Sequence, residues 1–173
     1  FLYSRHWNPS NKYLSDAISA LENSEASQIT ASGISAIACT ILQICKQGDE
    51  LISSRTIYGG TYALFKNILP RFGITVKFVD VTNLAAVESA ISNNTKLIYC
   101  ETISNPLLDI SDLPALSELA HSHDMKLVVD NTFSPMLVTP INLGADVVIH
   151  SMTKFINGTS DCVAGCISST KEF

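Results

Sequence analysis

A lysine just beyond an apolar run can act as a nucleophile, and Lys154 stands four residues past the run 147–150, flanked by Ser151 and Thr153. Desolvating such an amine disfavours its charged form and lowers its pKa, so that it attacks carbonyl carbon. Left in water it is an ordinary loop lysine. Asp130 ends the run Leu127-Val128-Val129 and is followed by Asn131 and Thr132, with no basic residue beside it. A carboxylate at the end of a strand needs a cation or a metal. One cation that fits is the protonated ring nitrogen of a pyridoxal ring, the partner expected beside a Schiff-base lysine. An Asx turn or a helix cap accounts for Asp-Asn equally well.

Three further segments have suitable chemistry. Ser32-Gly33-Ile34 opens a helical pattern directly after an apolar run. Backbone N–H groups at a helix N-terminus, with hydroxyls nearby, bind phosphate, and Ser151 and Thr153 could add two hydroxyls. A plain serine cap is the alternative. Tyr58 precedes Gly59-Gly60, so its ring could stack on a planar ligand while the glycines let the backbone turn closely; a core tyrosine is the alternative. Tyr3 and Arg5 suit a phosphate clamp on an extended arm, or an ordinary surface. Neither GxGxxG nor GxxxxGK[ST] occurs, which leaves dinucleotide and P-loop readings without support.

The elements that would hold these groups alternate. Apolar runs of four to six residues predict strands over 26–30, 50–53, 75–79, 96–100, 126–129 and 146–150. Helical patterns separate most of them. The first helix starts at Asn8-Pro9, with Leu14, Ile18 and Leu21 on one face, and the second runs from Ser32-Gly33 towards a C-terminal cap before Gly48. Others fall over 60–69, 84–91 and 114–123, and a short crossover with two prolines joins Asp130 to Gly144. This order predicts an α/β fold, a mostly parallel sheet covered by helices on both faces. Ligands in such sheets bind beyond the carboxyl ends of the strands, where the residues singled out above fall. Nothing in residues 1–173 suggests an internal domain boundary.

Composition narrows the function classes. With 173 residues, 46% of them hydrophobic, the chain can bury roughly 70% of its unfolded surface and needs no metal or disulfide staple. A net charge of −5 with scattered Lys and Arg argues against nucleic acid or an anionic membrane as partner. No apolar stretch approaches the roughly 18–20 residues of a membrane span. The five cysteines lack framework spacing and read as reduced, buried thiols of a cytoplasmic protein. Cys162 and Cys166 are loosely spaced, and His150 has no partner at helical distance, so no metal site is expected. His121 and His123 read as a solvated helix end. Residue 1 is Phe, the first methionine is Met125, and the row stops just after a short apolar segment, so a fragment is expected.

Taken in order, the motifs resemble the cysteine and methionine metabolism family of pyridoxal phosphate (PLP) enzymes, which includes cystathionine γ-synthase, cystathionine γ-lyase, cystathionine β-lyase and methionine γ-lyase. They are Tyr3-Ser4-Arg5 with Asn8-Pro9, Ser32-Gly33, Tyr58-Gly59-Gly60-Thr61, Glu101 with Asn105-Pro106, Asp130-Asn131-Thr132-Phe133 with Pro135, and His150-Ser151-Met152-Thr153-Lys154. The resemblance implies the fold-type I large domain, incomplete at both ends, with a smaller C-terminal domain outside the row. It also implies that Lys154 holds PLP covalently, Asp130 binds the pyridine nitrogen, Tyr58 stacks on the ring and assists proton transfer, and Asn105 approaches the phenolic oxygen. Ser32, Gly33, Ile34, Thr132, Ser151 and Thr153 complete the cofactor site, and Tyr3 and Arg5 reach the phosphate of a neighbouring subunit. A homodimer with shared sites, commonly doubled to a tetramer, and a sulfur amino acid substrate follow from the same resemblance. Ser10 and Leu107 depart from the threonines common after Asn-Pro, which is tolerable. Gly60 stands where bacterial methionine γ-lyases have cysteine, and the Ser-Arg-His-aromatic-Asn-Pro start is similar to plant-like methionine γ-lyases. The implied reaction is therefore α,γ-elimination of methionine. The alternatives are cystathionine γ-synthase or γ-lyase chemistry, an aminotransferase of the same fold, and a non-catalytic PLP-binding fragment.

Overall fold

A computed structural model of the chain describes residues 3, 4 and 8–173. Arg5 lies outside them.

Seven strands form one sheet in the order β1-β7-β6-β5-β4-β2-β3. They are β1 (Ala26–Thr30), β2 (Glu50–Ser54), β3 (Thr75–Val79), β4 (Thr95–Glu101), β5 (Lys126–Asp130), β6 (Val147–Ser151) and β7 (Gly165–Ser169). The five strands from β6 to β3 are parallel. β7 is antiparallel to both its neighbours, β6 and β1. The mostly parallel reading therefore holds, with an antiparallel edge. β7 is the strand that the sequence reading did not single out, because Ser168 and Ser169 dilute its apolar pattern. Both serines are buried and bonded, Ser168 Oγ to Ser27 Oγ at 2.8 Å and Ser169 Oγ to the Asp146 carbonyl at 2.7 Å.

The helices are α1 (Pro9–Glu22), α2 (Gly33–Ile44), α3 (Gly59–Ala63), α4 (Leu84–Ala90) and α5 (Leu113–Ser122). Side chains alternate across a strand, and here both faces are covered. Ala36, Ile37 and Ile41 of α2 pack on Leu97, Tyr99, Val128, Val147 and Ile149. Leu113, Leu116 and Ala120 of α5, with Val87 of α4, pack on Ile98, Cys100, Leu127, Val129 and Val148. Continuous apolar strands are what a sheet buried on both faces requires.

Asn8 caps α1, its side chain accepting from the Asn11 amide at 2.8 Å. Of the expected face only Ile18 is buried; Leu14 and Leu21 are 38% and 40% exposed, because α1 lies at the edge of the sheet against β1 and β7. α2 ends at Ile44, four residues before Gly48, whose φ of +93° serves the turn into β2 rather than a helix cap. The helix expected over 60–69 is α3 continued by a π turn (Leu64–Ile68) and a 3₁₀ turn (Leu69–Phe72). Pro70 donates no backbone bond, which breaks the regular ladder there. Among the described residues, no helix is long and apolar enough to cross a membrane. All five cysteines are unpaired; Cys45, Cys100 and Cys166 are buried as expected, but Cys39 and Cys162 are exposed.

Candidate active site

Strands β4, β5 and β6 end side by side, and the chemistry-bearing residues follow from that. Glu101 and Asp130 are the last residues of β4 and β5 and stand in register, while Ser151 ends β6. The N-terminus of α2 and the loops after β2, β4, β5 and β6 close a cavity of about 550 Å³ over these ends. Its wall includes Ser32, Gly33, Ile34, Tyr58, Glu101, Asn105, Asp130, Thr132, Ser151, Thr153 and Lys154. Residues from five separate stretches of sequence thus meet in one place.

Asp130 is buried, and burial raises its carboxyl above the ordinary range. The Thr132 hydroxyl and amide, the nearby His150 and the Tyr99 hydroxyl oppose that rise. The Thr132 amide donates to Oδ1 at 3.0 Å and the Tyr99 hydroxyl to Oδ2 at 3.2 Å. Among the described residues no lysine or arginine pairs with it.

Close packing of α2 on β6 requires Gly33. A Cβ there would stand 2.6 Å from Ser151 Cβ and 2.9 Å from Ser151 Cα. Gly165 is held as tightly from the other side, against the Ser32 carbonyl. The first amides of a helix have no intrahelical acceptor. Ser32 serves α2 in a capping box with Ser35, its Oγ accepting from the Ser35 amide at 3.1 Å, while the Gly33 and Ile34 amides begin the helix at the cavity wall.

Lys154 lines the cavity and is exposed to solvent. Tyr58 is not a core residue: it is 48% exposed at the N-terminus of α3. A Cβ on Gly60 would lie 2.5 Å from Tyr58 Cε1, so the glycine makes room for the ring. The Thr153 hydroxyl is engaged by Ala164, donating to its carbonyl at 3.2 Å and accepting from its amide at 3.1 Å. Thr132 Oγ1 accepts from the Ser151 amide at 2.7 Å. Tyr3 is exposed and does not line the cavity.

Sequence reasoning missed several partners. Ile103, Phe133, Phe155 and Val163 form the apolar part of the wall, and Phe133 and Phe155 meet edge to face at 5.4 Å. His150 pairs with Glu22, Nε2 to Oε1 at 2.5 Å, both buried, which sets it behind the site. Asn131 Nδ2 donates to the same Glu22 oxygen at 3.2 Å. His121 meets Asp146 at 2.9 Å rather than water alone. Only the apolar strand ending at Asp130 and the motif containing Glu101 signalled these groups; their pairing needed distant residues.

Comparison with known proteins identifies the family. A family model described as "Cys/Met metabolism PLP-dependent enzyme" matches residues 1–173. Methionine gamma-lyase of Arabidopsis thaliana is 45% identical over 173 residues, covering 99% of this chain and 39% of the relative. O-succinylhomoserine sulfhydrylase of Pseudomonas aeruginosa is 43% identical, covering 99% of this chain and 43% of the relative. In three dimensions, cystathionine gamma-lyase from Lactobacillus plantarum, solved with L-serine, superposes with a TM-score of 0.95 at 40% identity, covering 98% of this chain and 45% of that one. The chain spans less than half the length of each.

Proposed function

The chain belongs to the Cys/Met metabolism PLP-dependent enzyme family, and on that premise we propose that it is the cofactor-binding large domain of a methionine γ-lyase, cleaving methionine to a thiol, 2-oxobutanoate and ammonia. The observation that carries the cofactor site is the buried, cation-free Asp130 beside the α2 N-terminus and Lys154 in one cavity. These groups fit PLP chemically. A buried carboxylate is satisfied by a protonated ring nitrogen. The tight Gly33–Ser151 contact brings helix amides to where a phosphate binds. Lys154 offers an amine without an ion-pair partner among the described residues.

Bound PLP supplies an electron sink for the pair left when the substrate loses its α-proton. The rest is the work of this chain. Gly33, Ile34 and Ser151 would hold the phosphate, with Ser32 and Thr153 shaping that corner through their own bonds to Ser35 and Ala164. Asp130 would keep a proton on the ring nitrogen, and the hydroxyl of Tyr99 and the amide of Thr132 keep Asp130 aimed. Asn105, in the same wall, would approach the ring oxygen. The Lys154 amine would take the α-proton and, once relieved of it, a proton from the β-carbon so that the γ-thiolate can leave, and the Tyr58 hydroxyl would protonate the departing thiolate. Phe133, Phe155 and Val163 supply the apolar side of the wall.

The sulfur substrate, the homodimer with Tyr3 and Arg5 serving a neighbour's phosphate, its doubling to a tetramer, and a cytoplasmic location belong to the same proposal. The 45% identity to methionine gamma-lyase supports the choice of reaction. Likeness to the sulfhydrylase and to cystathionine gamma-lyase favours γ-replacement or transsulfuration as the second reading. The test is borohydride reduction of the PLP-loaded full-length protein and peptide mapping, followed by assay of thiol and keto acid from methionine and from cystathionine. Label on Lys154 with keto acid from methionine alone supports the reading. Label elsewhere removes Lys154 from its role, and activity only with cystathionine or a second thiol selects the alternative.

A further inference from the structure

Glu101 is a buried carboxylate that the mechanism above does not use. It ends β4 beside Asp130 and is only 6% exposed. Its two oxygens are taken by two different loops. Oε1 accepts from the Tyr58 amide at 2.7 Å, and Oε2 accepts from the Asn105 amide at 2.9 Å. The Ser111 hydroxyl, donating to the Glu101 carbonyl at 2.7 Å, fixes the backbone from which the side chain projects.

Packing alone gives no reason for an acid here. A buried carboxylate without a cation costs free energy, and an apolar side chain would fill the space more favourably. Among the described residues no basic side chain pairs with Glu101. Burial pushes its carboxyl up to about 7, Asp130 adds to the rise, and the Tyr58 and Asn105 amides oppose it. What the acid gains is a pair of acceptors that reach both loops at once. Glutamine has one side-chain acceptor and would turn an N–H towards the second amide. Aspartate is one methylene short.

We propose that Glu101 is a positioning residue whose carboxylate clamps the Tyr58 loop to the Asn105 loop and so sets the ring-facing tyrosine and the ring-edge asparagine in one fixed relation. The inference rests on the cofactor reading for what those two residues hold. The clamp is strongest when both oxygens are charged acceptors. Its pH response is set against Asp130 from β5 and Tyr99 and Cys100 from its own strand, with Lys154 lining the same cavity.

The test is residue-resolved amide exchange on the cofactor-free full-length protein, with the Thr132 amide as internal reference, together with visible circular dichroism and Kd of PLP. In the unaltered protein, protection at Tyr58 and Asn105 is expected to rise between pH 6 and pH 8. In E101Q at pH 8 at least one of the two amides loses about tenfold in protection, the size of one lost hydrogen bond. PLP dichroism falls and Kd rises by a similar factor, and E101D behaves alike. Unchanged protection and dichroism in E101Q would overturn the proposal. Should E101Q not fold, protection at both amides of the unaltered protein that stays flat from pH 6 to pH 8 overturns it too. Failure of the unaltered protein to bind PLP overturns the cofactor reading instead, and the exchange experiment still decides the clamp.

Discussion

At the scale of single residues, burial separates groups that look alike in sequence. Asp130 and Glu101 are both acids at strand ends, and both are buried against the same cavity. On the proposed reading Asp130 holds the cation of the cofactor ring, so D130N is expected to retain PLP yet lose roughly 10²-fold in α-proton exchange, the scale of losing one charge-stabilising group. Deuterium exchange at the substrate α-carbon measures it, and normal exchange would mean that another group protonates the ring. K154A should remove the borohydride-trapped label and lower turnover by roughly 10²–10⁴-fold, the usual worth of a positioned proton carrier. Glu101 also leaves a mark on stability. Its folded-state pKa of about 7 lies above the ordinary 4.5 of a free glutamate, so the native state binds a proton more tightly than the unfolded one. That contribution is fully present below pH 4.5 and is lost as pH rises through 7. The stability of the unaltered protein relative to E101Q should therefore fall by on the order of 3 kcal/mol across that window, read as the difference between two urea-unfolding series.

At the scale of elements, the contact of α2 with β6 and β7 decides whether the proposed phosphate corner can form. Gly33 and Gly165 let the helix N-terminus lie on the ends of the two strands, and no other residue fits without displacing backbone. G33A should cost roughly 1–3 kcal/mol through overpacking and weaken PLP binding as the helix lifts from Ser151. Thermal unfolding with a PLP titration checks both; a variant with unchanged Kd would show that the corner is not where phosphate binds. The cap at Ser32 is legible as an N-cap in the sequence, as is the start of α1 at Asn8-Pro9, because capping is local. The exposure of Leu14 and Leu21 is not, because it depends on which neighbour covers the helix.

At the scale of the whole molecule, several large apolar side chains remain uncovered by this chain, among them Val163 and Phe155 of the cavity wall. Leu137 is 84% exposed, Met136 77%, Val163 69% and Phe155 60%. A patch of that kind marks an interaction surface, in keeping with the proposed dimer. Mixing tests the shared site: co-refolded K154A and R5A full-length chains, each nearly inactive alone, should recover about a quarter of normal activity, because half the dimers are mixed and each mixed dimer has one intact site. No recovery above the single variants would place each site within one chain.

The sequence by itself determined what local chemistry and periodicity encode. The strands and helices from Pro9 to Ser151, the caps at Asn8 and Ser32, and the ordered polar residues after each apolar run were all readable. The family could be named from those motifs because their order is preserved even though each is weak alone. Tertiary structure decided which groups meet. It made β7 an antiparallel edge strand, left Lys154 and Tyr58 exposed, engaged Thr153 with Ala164, and joined Glu22 to His150 across 128 residues. It also placed one carboxylate between two loops 47 positions apart, Tyr58 and Asn105. The physical reason is range: capping and periodicity act within a turn or two of the chain, whereas burial and pairing are set by neighbours that only the folded sheet brings together.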